Sequence, residues 1–269
     1  RESAGDSLKA AATSVCNLVL DFSKVTEQVV KAKVLGNIVE LTRSMDHELR
    51  CMAVSTLNNL VYQADLHVKA ATVNAIGWPG ICELMHDPDE AVACEVFTLL
   101  LTLCHRANAD IDLMVASAGG GLELVRQIAG RLDPCRPCSP VIWKQALLVL
   151  SNIATGTEEH KGFVMEGGVP ELLVPHLQQR TPECEHSRLA AAWIVINLLY
   201  CETPEPSTTS GARARAQRLQ ALGVWAQLES MQDDPSQDVQ ERVTTALWSF
   251  KHLLGEDRDP QGAAPILPD

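Results

Sequence analysis

Aromatic side chains are scarce: 4% of the 269 residues, with two tyrosines, four phenylalanines and five tryptophans. A core must come from Leu, Ala and Val, as in closely packed helices. The 46% of apolar residues suffices for one or two ordinary domains or one elongated array. No alternation of apolar and polar residues is sustained, so no strand is expected. Positive charge is in deficit, 22 Lys and Arg against 34 Asp and Glu, a net −12. That argues against nucleic acid or an anionic membrane as the main partner and mildly favours a basic or neutral protein, though solubility is its commoner meaning. Long hydrophobic runs are missing as well. The longest, Leu189 to Cys201, falls short of the roughly 20 residues a bilayer span needs. No apolar leader opens the chain: Arg1 begins a polar, Ala-rich segment. The nine cysteines are scattered and odd in number. A reducing cytoplasmic or nuclear compartment is expected, as is a piece of a longer array.

What is present is a repeat. The segments "SVCNLVLDF", "TLNNLVYQA", "LLTLCHRA", "VLSNIATG", "VINLLYCE" and "SFKHLLGE" align to put Asn17, Asn59, Thr102, Asn152, Asn197 and His252 in one column, spaced 42 to 55 residues apart. Each later copy follows a glycine-containing start and a short amphipathic helix ("LGNIVELTRSM", "IGWPGICELMH", "GGGLELVRQIA", "GGVPELLVPHL", "LGVWAQLESMQ"). Polar turns such as "SMDHELR", "HDPDEAV" and "DDPSQDV" join the two, their Asp, Pro and Ser serving as turn formers and N-caps. Pro88 and Pro235 stand just before the long helices, where a missing N–H costs little. A short helix, a glycine break, an amphipathic helix, a polar turn and a long apolar helix, at a period near 42 to 45, is the armadillo order. The expected fold is all-α, a right-handed α-solenoid of about six armadillo repeats over 1–255. The units run approximately 1–31, 32–71, 72–116, 117–163, 164–202 and 213–255, with a mobile insertion loop at 203–212 and a flexible tail at 256–269. A second insertion, Gly130 to Pro140, lengthens a turn.

Motifs that suggest chemistry have plainer readings. "CRPC", Cys135 to Cys138, is C-x-x-C. Zinc would need two further ligands. Cys184 and His186 occupy the same turn one repeat later, but there is no second C-x-x-C and no thioredoxin-like βαβ unit. An unligated loop is the expectation. The glycine run "SAGGGLEL" lacks the Lys-Ser/Thr of a phosphate loop and reads as a break between two helices. The eight histidines form no metal-binding or catalytic pattern. No enzyme, cofactor or metal is expected.

The column is more informative. Asn inside an apolar helix is costly to bury unpaired. It either bonds locally to hold the superhelix or joins a ladder of amides that grips an extended peptide in the concave groove. The residue four earlier shares the stripe, giving Thr13, Ser55, Thr98, Leu148, Trp193 and Trp248. Three later stand Tyr62 and Tyr200, both tyrosines of the chain. Trp193, Asn197 and Tyr200 therefore stack on one helix face. Aromatics around an amide are the composition of an interface hot spot; the alternative is that Trp193 and Trp248 fill core. The candidate partner-binding residues are Trp193, Asn197 and Tyr200, with Gln240, Thr244 and Trp248 from the next long helix, and Asn152 and Asn59.

W-x-x-x-N resembles importin-α, whose tandem copies bind basic nuclear-localisation peptides. Only Trp193 and Asn197 form the full pair here. A closer resemblance covers nearly the whole chain. "SVCNLVLDFS", "LNNLVYQADLHVKA", "LLVLSNIATGTEEHKGFVM", "LAAAWIVINLLYCE" and "RLQALGV" are similar, in order, to the C-terminal armadillo half of the GID/CTLH ubiquitin ligase scaffold subunits. Cys16 to Ser23 and Asn152 to Thr157 carry the most specific likeness. The resemblance implies a non-catalytic scaffold, cytoplasmic and nuclear, that joins ligase core subunits to a degron-binding substrate receptor. It implies that the receptor's C-terminal tail lies in the concave groove, at the positions matching Trp193 and Tyr200. It implies no nucleic-acid, membrane or small-molecule partner. Importin-like binding of basic cargo peptides along Asn59, Asn152 and Asn197 is the alternative.

Overall fold

The computed structural model describes residues 9–17, 34–105, 107–135, 138–201 and 206–255. The ends 1–8 and 256–269, and the stretches 18–33 and 202–205, lie outside the described residues; they include the expected tail and part of Cys16 to Ser23. Two compact units form, Arg1–Gln127 and Ile128–Asp269. The division falls just before the lengthened turn Gly130 to Pro140.

The first unit carries α1 (residues 9–17), α2 (Val34–Leu41), α3 (His47–Val61), α4 (Leu66–Ile76), α5 (Trp78–Met85), α6 (Glu90–Leu103) and α7 (Asn108–Ser117). Helix α8 (Gly121–Ala129) reaches into the second unit, which adds α9 (Pro140–Ala154), α10 (Glu158–Glu166), α11 (Val169–Leu177), α12 (Glu185–Leu199), α13 (Pro206–Ala221), α14 (Val224–Glu229) and α15 (Gln237–Leu254). No strand occurs among the described residues. The expected triplet recurs: α4, α5 and α6; α7, α8 and α9; α10, α11 and α12; α13, α14 and α15. The glycine break is used as expected, since Gly168 and Gly223 precede α11 and α14 at φ of 88° and 83°. An added Cβ would meet nothing there within 4 Å, so the requirement is conformational rather than steric.

Each long helix is buried along most of its length. In α12, ten of fifteen residues are buried, from Ser187 to Leu199, because α9 and α15 pack on two of its sides. This is why the stretch is apolar without membrane-spanning length. In the first unit, α3 packs against α6 in the same way. Local signals begin the helices. Asp46, Asp65, Asp89 and Ser139 accept backbone N–H bonds as N-caps, and Thr157 forms a reciprocal capping box with His160.

Two turn aspartates have a different task. Arg50 in α3 donates from Nε and Nη2 to the two oxygens of Asp87, at 2.7 and 2.8 Å, while its Nη1 donates to the Ser44 carbonyl at 2.9 Å. Arg188 in α12 repeats the pattern, with Asp234 at 2.9 and 3.0 Å and the Gln179 carbonyl at 2.7 Å. Both positions lie nine residues before the column Asn of their helix. Each clamp fastens a long helix to the Asp-Pro turn of the next repeat and closes its own preceding turn. Desolvation pushes the Asp87 carboxyl up, but the Arg50 bond and the Asp89 N–H outweigh it, and its pKa lies below the usual range. Arg188 and Asp234 are 1% and 0% exposed in their side chains, so removing either leaves an unpaired buried charge.

The segment 203–212 is not a loop throughout. Residues 206–212 belong to α13, Ala212 is fully buried, and 203–205 lie outside the described residues. Three arginines hold α13 in place. Arg213 donates to the Leu253 carbonyl (2.9 Å), Arg215 to the Leu198 carbonyl (2.6 Å) and to both oxygens of Glu158 (2.5 and 3.1 Å), and Arg218 to Glu171 (2.9 Å). Gly211 allows the close approach, for a Cβ there would stand 3.0 Å from Glu158 Oε2. The Pro, Ser and Thr content that suggested mobility is overridden by these anchors.

His176 is 1% exposed. Its Nε2 meets the Leu132 carbonyl at 2.8 Å and its ring meets Trp143 edge-on at 5.1 Å. The short carbonyl contact requires a proton on Nε2, and burial holds the imidazole pKa below its usual value.

Two outcomes test this frame. Asp234→Asn should lower unfolding free energy by about 3–5 kcal/mol in urea titration, far more than Glu171→Gln at the exposed Arg218 pair. Below a pH of about 6.5 the unfolded chain takes up the His176 proton first, so stability should fall on acidification, by at most about 1.4 kcal/mol per pH unit from this group. His176→Gln should flatten that dependence in melts recorded between pH 7 and 5.

Candidate functional site

The polar column makes contacts between successive long helices. Asn59 Nδ2 donates to Cys16 Sγ at 3.4 Å, Thr102 Oγ1 to Asn58 Oδ1 at 2.7 Å, and Asn197 Nδ2 to the carbonyl and hydroxyl of Ser151 at 3.1 and 3.0 Å. In every case the acceptor is the residue immediately before the column position of the preceding long helix. Asn152 is half-buried and also engaged. These donors hold one repeat to the next. For the Asn197 side-chain oxygen no donor is found among the described residues.

The aromatics lie nearer the surface. Tyr62 and Tyr200 are 60% and 48% exposed. Each is the C-cap of its long helix, its backbone N–H bonded four residues back to Asn58 and Ile196. Their shared place outside the last helical turn explains their exposure. Trp193 is half-buried, with the Arg242 guanidinium 4.7 Å over its ring. Trp248 is half-buried and stacks on His252, rings 5.3 Å apart and 7° from parallel. Lys161 lies 5.7 Å from the Tyr200 ring centre and donates to the Tyr200 carbonyl at 2.7 Å.

Of the sequence-derived candidates, Trp193, Asn197 and Tyr200 share α12 and its cap, and Gln240, Thr244 and Trp248 share the adjacent α15. Gln240 and Thr244 have their donors turned inward, Gln240 to the Asp234 carbonyl (2.6 Å) and Thr244 to the Gln240 carbonyl (2.8 Å). Asn59 belongs to the first unit and Asn152 to α9. Arg242 escapes a stripe read at four-residue spacing: it is on α15 but off the series 240, 244, 248, and meets Trp193 only across two helices. It lines an open depression of about 680 Å³ with Pro235, Gln237, Gln240, Glu241 and Thr244. In the first unit a smaller depression of about 320 Å³ is lined by Tyr62, Gln63, Lys69, Leu101, Thr102 and His105. Lys69 pairs there with Asp110 at 2.5 Å.

The remaining motifs take structural places. "SAGGGLEL" spans the break between α7 and α8. Cys135 N–H is bonded to Asp133 at 2.9 Å, and Arg131 Nη2 lies 3.7 Å from Cys138 Sγ. Among the described residues no group of His, Cys, Asp and Glu is placed to hold a metal, no disulfide joins any of the nine cysteines, and no helix is long and apolar enough to cross a membrane.

Stability and surface should separate on α12. Asn197→Leu should cost about 1–2 kcal/mol in denaturant unfolding, since it removes the bonds to Ser151. Tyr200→Ala, at an exposed cap, should change stability by less than about 1 kcal/mol.

No family model matches the chain. Among curated proteins it is similar to armadillo repeat-containing protein 8 of Danio rerio, 25% identical over 243 residues that cover 90% of this chain and 34% of that protein. GID complex subunit 5 of Schizosaccharomyces pombe is 23% identical over 289 residues, 89% of this chain and 36% of that protein. The chain thus spans about a third of the length of the curated relatives it matches. Among solved structures, a designed armadillo repeat protein in complex with a (KR)4 peptide superposes with a TM-score of 0.72 at 19% identity, covering 91% of this chain and 94% of that one. Computationally designed armadillo repeat proteins for modular peptide recognition give 0.72 at 19%, covering 90% and 93%. The fold is that of an armadillo-repeat α-solenoid.

Proposed function

We propose that this chain is a non-catalytic scaffold segment of a multisubunit ubiquitin ligase of the GID/CTLH type, and that its α12/α15 face holds the C-terminal tail of a substrate receptor. The observation that carries the reading is the Trp193, Asn197 and Tyr200 constellation: a half-buried indole and an amide oxygen without a donor on α12, and an exposed phenol at its C-cap, beside α15. The matches to armadillo repeat-containing protein 8 and GID complex subunit 5, in the same order along 90% and 89% of the chain, supply the ligase context. The aromatics would bury apolar side chains of the tail, and Asn197 Oδ1 would accept a backbone N–H. Work in the cytoplasm and nucleus accords with this role.

The importin-like alternative asks Trp193 to receive the cationic side chain of a basic cargo peptide. Arg242 already occupies that ring face at 4.7 Å, and like charges would repel there. This observation favours the scaffold reading.

The test is co-purification from cells with the tagged full-length protein that contains this chain. RING-type ligase subunits and a receptor should be recovered, and Trp193→Ala with Tyr200→Ala should lose the receptor while retaining the core subunits. Full receptor recovery by a folded double variant would remove the groove from the assignment.

A further inference from the structure

We propose that Arg242 reads a carboxylate: the C-terminal α-carboxylate of an extended peptide lying along Trp193 and Asn197. This deepens the scaffold reading and rests on it, by assigning the chemistry of the tail's last residue.

The Arg242 guanidinium is held over the Trp193 ring. A guanidinium held over an indole by cation–π attraction keeps its N–H donors available for a third group. Among the described residues that guanidinium makes no hydrogen bond and no ion pair. Its neighbours contrast with it. Arg180 and Arg188 meet Asp234, Arg215 meets Glu158, Arg218 meets Glu171, and Arg213 meets the Leu253 carbonyl. The second cation over a candidate aromatic, Lys161, is also paired, with Glu158 at 3.4 Å and the Tyr200 carbonyl. In a chain of net −12, Arg242 stands on a tryptophan without the carboxylate or carbonyl partner that those arginines have.

Its surroundings suit an anion. Arg242 is half-buried and opens onto the depression beside Gln240 and Thr244. Because both of those side chains donate to carbonyls of their own segment, the Arg242 fork is the uncommitted donor set there. Glu241, at the same rim, accepts from Gln237 at 3.1 Å. A planar carboxylate matches the guanidinium fork through two parallel charge-assisted bonds. A chain end supplies that group, while Asn197 Oδ1 remains for a backbone N–H of the same peptide.

The probe is a pair of immobilised random-peptide sets, identical except that one ends in a free carboxylate and the other in a carboxamide. Binding is measured with the whole chain and with its Arg242→Gln and Arg242→Lys forms. Peptides selected from the first set should lose about 10- to 100-fold in affinity on amidation, the range expected for a charge-assisted bond. Amidation should cost Arg242→Gln less than about twofold, and Arg242→Lys, which keeps the charge without the fork, an intermediate amount. Binding that ignores amidation, or an equal amidation loss in Arg242→Gln, would overturn the assignment and leave the scaffold reading standing. Affinity that follows internal Asp or Glu and not the chain end overturns it too. Absence of binding by either set refutes the groove as a peptide site, and the carboxylate assignment with it.

Discussion

The interaction on which the stacking depends is the bidentate clamp between a long-helix arginine and the turn aspartate of the next repeat. Hydrophobic burial alone is non-directional, so apolar helices of Leu, Ala and Val could slide along or rotate about one another at little cost. Arg50 with Asp87 and Arg188 with Asp234 remove that freedom. Each fork engages a carboxylate in the following turn and a carbonyl of its own turn. One side chain thereby fixes where a long helix begins and where its successor begins. A buried pair of this kind need not add net stability over an apolar substitute; its contribution is geometric definition. At the equivalent position in α9 stands Trp143 instead of an arginine. Trp143 packs edge-on against His176, whose ring reaches the Leu132 carbonyl.

Much of the architecture could be read from the sequence because its signals are local and repeated. The glycine breaks at Gly77, Gly168 and Gly223, the caps at Asp46, Asp89 and Ser139 and the apolar long helices recur with the period; Gly36 instead lies inside α2, and Ser236 accepts no backbone N–H at the start of α15. Two features were hidden because they depend on contacts across the fold. Arg213, Arg215 and Arg218 face carbonyls and carboxylates of neighbouring helices and draw 206–212 into α13. Asp87 and Asp234 look like turn formers; only the folded chain shows them receiving Arg50 and Arg188.

The candidate site was legible in the same uneven way. Both tyrosines share a column and stand at equivalent helix caps, outside the last helical turn rather than on the helix face itself. The amides proved two-sided: their nitrogens fasten repeats together, so a column that looks like a recognition ladder is partly a seam. This follows from burial, since an amide set among Leu and Ile cannot leave its donor unpaired. Only Asn197 combines a committed nitrogen with an oxygen beside two surface aromatics. Arg242 was invisible to a stripe drawn along one helix, because its partner Trp193 belongs to another.

The seam has a consequence for how such a chain can change. Asn59, Thr102 and Asn197 each engage the residue just ahead of the matching position in the previous long helix. That offset is kept where successive column positions stand 42, 43 and 45 residues apart, so it works as a ruler that does not count the residues in between. Across those steps the connecting turns can differ in length by a few residues while each long helix meets its predecessor at the same place, which leaves the pattern the helices present to a partner unaltered.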